Sequence, residues 1–291
     1  APPPKKARGM LLLLSAFSAG WHAPELRPGG MPVLQRTALL SRRTSAVALT
    51  GAPAPKTGSV KAQLLASCEA FKAAQEAQWA DDAAAGAPDP KTPLQAEEIA
   101  NIDVAGSTTL SALRDATVNL IVQLADSNPT PTPFDGWRGW RGPGGNKLSG
   151  RWKLLFTTGA DATFRPSKDK GAATTYQEID GDKGYFVNCV DFDAPDAKLR
   201  GFRVVVKGKR LNDTEVQLYF RRVKLLRRSR WLQTIVVPLP PSWILRAIAR
   251  RASRGKAKLS ERGAGFTMLY LDEDLRMHKT FDGQYFVQQR V

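Results

Sequence analysis

Two periodicities divide the chain. From Ser59 onward apolar residues recur at helical spacing, with Val60, Leu64, Cys68 and Phe71 in register and Leu65 beside them. This pattern predicts a helix ending near Asp81 and Asp82, because residues 83–93 form an Ala/Gly/Pro linker. Residues 94–102 are long enough for a turn or two. Ser107 or Thr108 then caps a second helix, whose Leu110, Leu113, Thr117, Leu120, Ile121 and Leu124 share one face. The run Asn128-Pro129-Thr130-Pro131-Thr132-Pro133 stops it. Both helices are amphipathic and must lie on another surface.

After a loop containing Trp137, Trp140 and Gly142 the period changes to two. Trp152, Leu154 and Phe156 form one alternating set, and Phe186, Asn188, Val190 and Phe192 another. Phe202, Val204 and Val206 follow, then Val216, Leu218 and Phe220, then Phe266, Met268 and Tyr270, with Tyr285 and Val287 near the end. Gly181-Asp182, Asn212-Asp213 and Asp282-Gly283 between these runs are hairpin signals. Roughly seven or eight strands with short turns suit an antiparallel barrel or sandwich, and an eight-stranded barrel can enclose one small ligand. No sustained βαβ rhythm occurs, which disfavours a parallel nucleotide-binding sheet.

Charge changes the picture more than composition does. The 43 basic and 27 acidic residues leave a net charge of +16, which points to an anionic partner. Between Arg200 and Arg262 lie 18 Lys/Arg against Asp213, Glu215 and Glu261, a net +15 that carries nearly all the excess. The two cysteines, Cys68 and Cys189, form no disulfide framework or metal pattern. With only His22 and His278 present, histidine-dependent catalysis would rest on His278 alone once a leader is removed.

Four segments resemble, in order, the plastid lipid-associated protein family, also called plastid fibrillins. Residues 124–131, Leu-Ala-Asp-Ser-Asn-Pro-Thr-Pro, are similar to that family's helix-ending motif. Residues 148–158, containing Gly150, Trp152 and Phe156, resemble its first strand. Tyr176-Gln177-Glu178-Ile179 with Val187-Asn188 resembles its second motif. Tyr270-Leu271-Asp272-Glu273-Asp274-Leu275-Arg276, followed by Gly283 to Val287, resembles its closing motif. The resemblance spans roughly residues 60–291 and implies a lipocalin-like barrel in the plastid, at thylakoids or plastoglobules, binding lipids, quinones or carotenoids. Met277-His278-Lys279 departs from the family's pattern, residues 83–93 look inserted, and the basic segment is longer than the pattern requires.

Residues 1–58 read as a targeting leader. Lys5, Lys6 and Arg8 precede the apolar run from Met10 to Ala19, and an Arg- and Ser-rich, acid-poor stretch follows. A signal followed by a transit segment resembles the bipartite leaders that direct proteins into secondary plastids. Residues 59–134 then form a helical segment packed on a β domain at 135–291. The fold class expected is mainly β with N-terminal helices: a lipocalin-like antiparallel β-barrel flanked by amphipathic helices.

Trp152, Phe186, Phe202, Leu218 and Phe266 are candidate walls of a lipid pocket. Asp272 and Arg276 join them as candidates, Asp272 or Asp274 being expected to pair with Arg276 and so close the barrel or order its mouth. The tight acidic cluster Asp272-Glu273-Asp274 lacks partners at metal-ligand spacing, and no cofactor is called for. His278 reads as a satisfied or exposed strand histidine, Cys189 as a small core residue. The glycines at 142–145 before Lys147 lack phosphate-loop spacing.

Arg221, Arg222, Arg227 and Arg228 surround Leu225, Leu226 and Trp231. After Pro241 a basic helix is predicted at 242–254, with Arg246, Arg250 and Arg254 on one face, Arg251 nearby and Trp243 opposite. Such a helix suits a peripheral anionic membrane surface. Photosystem or antenna proteins are the second class of partner, and nucleic acid is disfavoured because no nucleic-acid motif accompanies the charge. Three functions stay open: a non-catalytic carrier of apolar molecules, an interaction protein docking on an acidic photosynthetic complex, and a small barrel isomerase or cyclase acting on a lipid.

Overall fold

The computed structural model describes residues 59–85, 108–139, 145–159, 164–240 and 263–291. The leader, the short piece at 94–102 and the basic helix expected at 242–254 lie outside the described residues, so Trp243, Arg246, Arg250, Arg251 and Arg254 do too.

Helix α1 (Val60–Ala84) begins at Ser59, whose hydroxyl accepts from the Ala62 amide and so satisfies one free N–H of the first turn. It continues past Asp82 because Ala83 and Ala84 are strong helix formers, and the Ala85 amide still reaches Asp81 O at 2.9 Å. Leu64, Cys68, Phe71 and Gln75 form its buried stripe. Helix α2 (Thr108–Ala125) buries Leu110, Thr117, Ile121 and Leu124, the face its spacing predicts. The helices touch through Ser67 Oγ and Thr117 Oγ1 at 2.7 Å. Beyond α2, Asn128 bonds Thr130 on both sides of its amide, and its Oδ1 accepts from the Leu271 amide at 3.0 Å. The proline-rich stop is thereby fastened to the sheet.

Nine strands follow: β1 (Gly150–Thr157), β2 (Ala173–Asp180), β3 (Tyr185–Phe192), β4 (Leu199–Arg210), β5 (Glu215–Arg227), β6 (Thr234–Pro238), β7 (Gly265–Leu271), β8 (Leu275–Thr280) and β9 (Tyr285–Arg290). All neighbours pair antiparallel in the order β4-β3-β2-β1-β9-β8-β7-β5-β6, and β4 also pairs with β5. That extra pairing returns the ladder on itself, making a ring with β6 outside it. Strand β5 is long enough to serve both neighbours. Glu215 to Gln217 pair with β7, whereas Arg222 to Leu226 pair with β6. The three hairpin signals fall at the β2–β3, β4–β5 and β8–β9 turns.

The ring has two apolar faces. Phe156, Tyr270, Leu275, Met277 and Val287 point outward and cluster with α1 and α2. Trp152, Ile179, Phe186, Val190, Phe202, Val204, Val206, Val216, Phe266 and Met268 face inward. Simple alternation places Phe156 with Trp152 and Leu154, and Tyr270 with Met268; the structure corrects both. A bulge between Leu154 and Phe156, and another between Met268 and Tyr270, moves each aromatic to the helix side. There Phe156 meets Phe71 edge-on at 5.0 Å.

One end of the interior is filled by the segment joining α2 to β1. Phe134 and Trp137 are buried, Trp137 stacks on Phe186 at 4.9 Å, and its Nε1 donates to Gly208 O at 3.4 Å. A Cβ on Gly208 would lie 2.6 Å from Phe186 and 2.7 Å from Trp137, so only glycine lets the indole approach. Arg290, near the chain's end, lies over Trp152 at 4.1 Å and donates to the carbonyls of Ser149 and Lys147, tying β9 to the entry of β1.

Candidate functional site in the ring interior

A short polar strip crosses this apolar interior, assembled by strand register. Arg276 on β8 stands opposite Gln288 on β9, Gln288 opposite Leu154 on β1, Trp152 opposite Gln177 on β2, and Gln177 opposite Asn188 on β3. Side chains at paired positions share a face. The Arg276 Nη2 donates to Gln177 Oε1 at 2.5 Å and also to Gln288 Oε1; the Gln177 amide in turn donates to Asn188 Oδ1. The guanidinium lies 5.4 Å from the Trp152 ring.

Arg276 is fully buried, yet its Nε and Nη1 have no hydrogen-bond partner among the described residues, and no carboxylate there pairs with it. Burial, helped by the like charge of Arg290, pulls its pKa down to about 9, so it remains a cation at neutral pH. His278, two residues along on the same face, is also buried. Its ring stacks on Phe286 at 4.8 Å and lies 4.5 Å from Phe266, and its Nδ1 has no partner. Burial first, and then Arg276, hold it well below the ordinary 6.5, so it is neutral near pH 7. The expectation of a satisfied or exposed histidine is corrected on both counts, because inward parity on β8 places the ring between aromatic neighbours.

Of the pocket-wall candidates, Trp152, Phe186, Phe202 and Phe266 are buried in the inner cluster, and Leu218 packs partly buried against it. Arg276 joins them, but Asp272 does not. It sits at the β7–β8 turn, where Lys61 Nζ donates to it at 2.6 Å, Tyr270 Oη at 2.7 Å and the Leu275 amide at 2.7 Å. The expected pairing of Asp272 or Asp274 with Arg276 is therefore not formed, since the two acids bind Lys61 outside the ring while Arg276 points inward. Gln177, Asn188 and Gln288 complete the strip, none of them among the residues expected to line the site. The available signal was a polar residue at an inward position of an apolar strand, as in Phe186-x-Asn188-x-Val190 and Phe286-x-Gln288.

The thiols offer little reactivity. Burial pushes both Cys68 and Cys189 up to about 12, and a protonated thiol is a poor nucleophile. Cys189 is fully buried, as a small core residue should be. Among the described residues no group of three His, Cys, Asp or Glu is placed to hold a metal, and no helix is long and apolar enough to cross a membrane.

The cationic residues of β5 lie at the surface. Arg221, Arg222 and Arg228 are exposed and Arg227 half-buried. The β5–β6 hairpin they flank carries Trp231, 95% exposed, with Leu232 and Val236 also exposed. These features together define an antiparallel β module with an apolar interior, an enclosed guanidinium, helices on one outer flank and a basic hairpin with an exposed indole. The chain belongs to the PAP_fibrillin family, whose model matches residues 91–289. That is a family of plastid lipid-associated proteins, generally structural rather than catalytic, and membership places this protein in the plastid. No curated protein and no solved structure matches the chain.

Proposed function

We propose that the protein binds or carries apolar plastid molecules (lipids, quinones or carotenoids) inside its strand ring, which works as a non-catalytic, lipocalin-like barrel at the thylakoid or plastoglobule surface. The observation that carries this reading is the state of the inner wall. Leu154, Leu218, Phe220, Leu225 and Phe286 sit at inward register positions and are only partly buried. A ring filled by its own side chains would seal such residues. Removing about 300 Å² of an acyl or isoprenoid ligand from water there contributes about 7–8 kcal/mol gross. Association costs take back a large part, leaving useful but reversible binding.

Docking is assigned to an anionic membrane surface through the β5–β6 hairpin. Trp231 and Leu232 at its tip, flanked by Arg227, Arg228 and Arg230, combine an interfacial aromatic with cations. Native purification of the full chain from plastid-bearing cells, followed by solvent extraction and mass spectrometry, tests the carrier reading. Apolar lipids or isoprenoids enriched over a mock purification are expected. A profile with nothing enriched overturns it.

A further inference from the structure

We propose that Arg276 is a head-group site, its unpartnered Nη1–H donors taking the carboxylate of an acyl-chain acid whose hydrocarbon tail lies along the inner apolar wall. This rests on the carrier reading above and narrows it to a ligand class.

A guanidinium has five N–H donors in a planar fork, and buried ones are ordinarily satisfied. In Arg276 both protein acceptors, Gln177 Oε1 and Gln288 Oε1, fall on Nη2. They fix the plane of the group and leave Nε–H and both Nη1–H donors unused. Cδ stands between Nε–H and Nη1, so these two form no fork, and the two Nη1–H bonds are the donors left for a carboxylate oxygen. Both acceptors are neutral amides, and no acid neutralises the charge among the described residues. An enclosed cation without a counter-ion is what a structural network avoids and what an anion site retains.

The surroundings select further. Trp152 packs against the guanidinium, while Leu154 and Phe286 occupy neighbouring inward positions of β1 and β9. A compact, singly charged head fits a fully enclosed guanidinium better than a bulkier, more hydrated phosphate ester. Arg290, the other cation near Trp152, is already committed to the carbonyls of Ser149, Lys147 and Glu273, so it anchors β9 and leaves Arg276 as the cation with unused donors.

Delipidated full-length protein titrated calorimetrically with palmitic acid and with hexadecan-1-ol tests this, since the two ligands share a tail and differ in head. The acid should bind at least about tenfold more tightly, the expected worth of hydrogen bonds to a charged group. In Arg276→Met the acid's affinity should fall to the alcohol's, with the alcohol's unchanged. The unliganded variant should also melt at a higher temperature, because a buried charge has been replaced by an apolar side chain. Equal binding of acid and alcohol by the wild type overturns the head-group site while leaving apolar carriage standing. Binding of neither overturns both. A folded Arg276→Met that keeps its preference for the acid overturns the role of this residue, and if the variant does not fold, the wild-type comparison decides alone.

Discussion

Arg276 and His278 occupy successive inward positions of β8, and each keeps a nitrogen without a partner in a mostly aromatic interior. Their consequences differ because one stays charged at neutral pH and the other stays neutral. The folded-state pKa of His278 lies well below 6.5. As pH falls through 6.5 the unfolded chain therefore takes up a proton that the folded chain refuses, and stability declines. The slope approaches about 1.4 kcal/mol per pH unit until the folded pKa is reached. Arg276 faces His278 and remains cationic throughout this window, deepening the effect. Urea unfolding at pH 5 and pH 7.5 should show the wild type weaker at pH 5 by about 1–2 kcal/mol. In His278→Leu most of that difference should vanish, and an unchanged difference would place the titration elsewhere. None of this was readable from the local sequence Met277-His278-Lys279, because whether a strand residue faces a ring interior depends on pairing with strands far along the chain.

At the scale of elements, one surface cluster ties α1 to the β7–β8 turn. Lys61 reaches both Asp272 and Asp274, and Tyr270 and the Leu275 amide complete the shell of Asp272. Burial alone would raise the Asp272 pKa, but the bonds from Lys61, Tyr270 and Leu275 outweigh it and hold the carboxylate well below 3.8. The stabilisation is thus fully present above pH 3.8 and is lost as pH falls toward the folded value. Asp272→Asn should cost about 1–2 kcal/mol in chemical denaturation, equally at pH 5 and pH 8. A loss that grows between those pH values would contradict this assignment. The helices themselves were legible, since the stripe Leu64, Cys68 and Phe71 and the stripe Leu110, Ile121 and Leu124 are the faces that pack. The bulges in β1 and β7 were not. An extra residue in one strand is defined only against its partner, so Phe156 and Tyr270 read as inward until the register showed otherwise.

For the whole molecule the asymmetry of charge becomes spatial at the β5–β6 hairpin. About 1 kcal/mol for each cation near an anionic leaflet gives Arg227, Arg228 and Arg230 together a salt-sensitive hold, to which Trp231 adds an interfacial anchor. Trp231→Ser should weaken binding to phosphatidylglycerol-containing vesicles about tenfold in co-sedimentation at low salt. Raising the salt should release the wild type, because screening shortens the reach of the cations. Vesicle binding indifferent to both changes would exclude this hairpin as the contact.

Hydrophobic periodicity, hairpin dipeptides and the proline stop after α2 were enough to determine an antiparallel β module carrying two amphipathic helices, because these signals are local and act over a few residues. The motifs around Trp152, Asn128 and Arg276 were likewise enough to indicate the family. Tertiary structure alone decided that β4 pairs with β5 and returns the ladder on itself, and that Phe134 and Trp137 fill one end against Gly208. It also decided that Asp272 binds Lys61 while Arg276 turns inward to Gln177 and Gln288. The physical reason is separation along the chain: Lys61 lies 211 residues from Asp272, and Gln177 lies 99 from Arg276. A sequence records which groups are available to pair, and only the closed register brings a given pair within hydrogen-bonding distance.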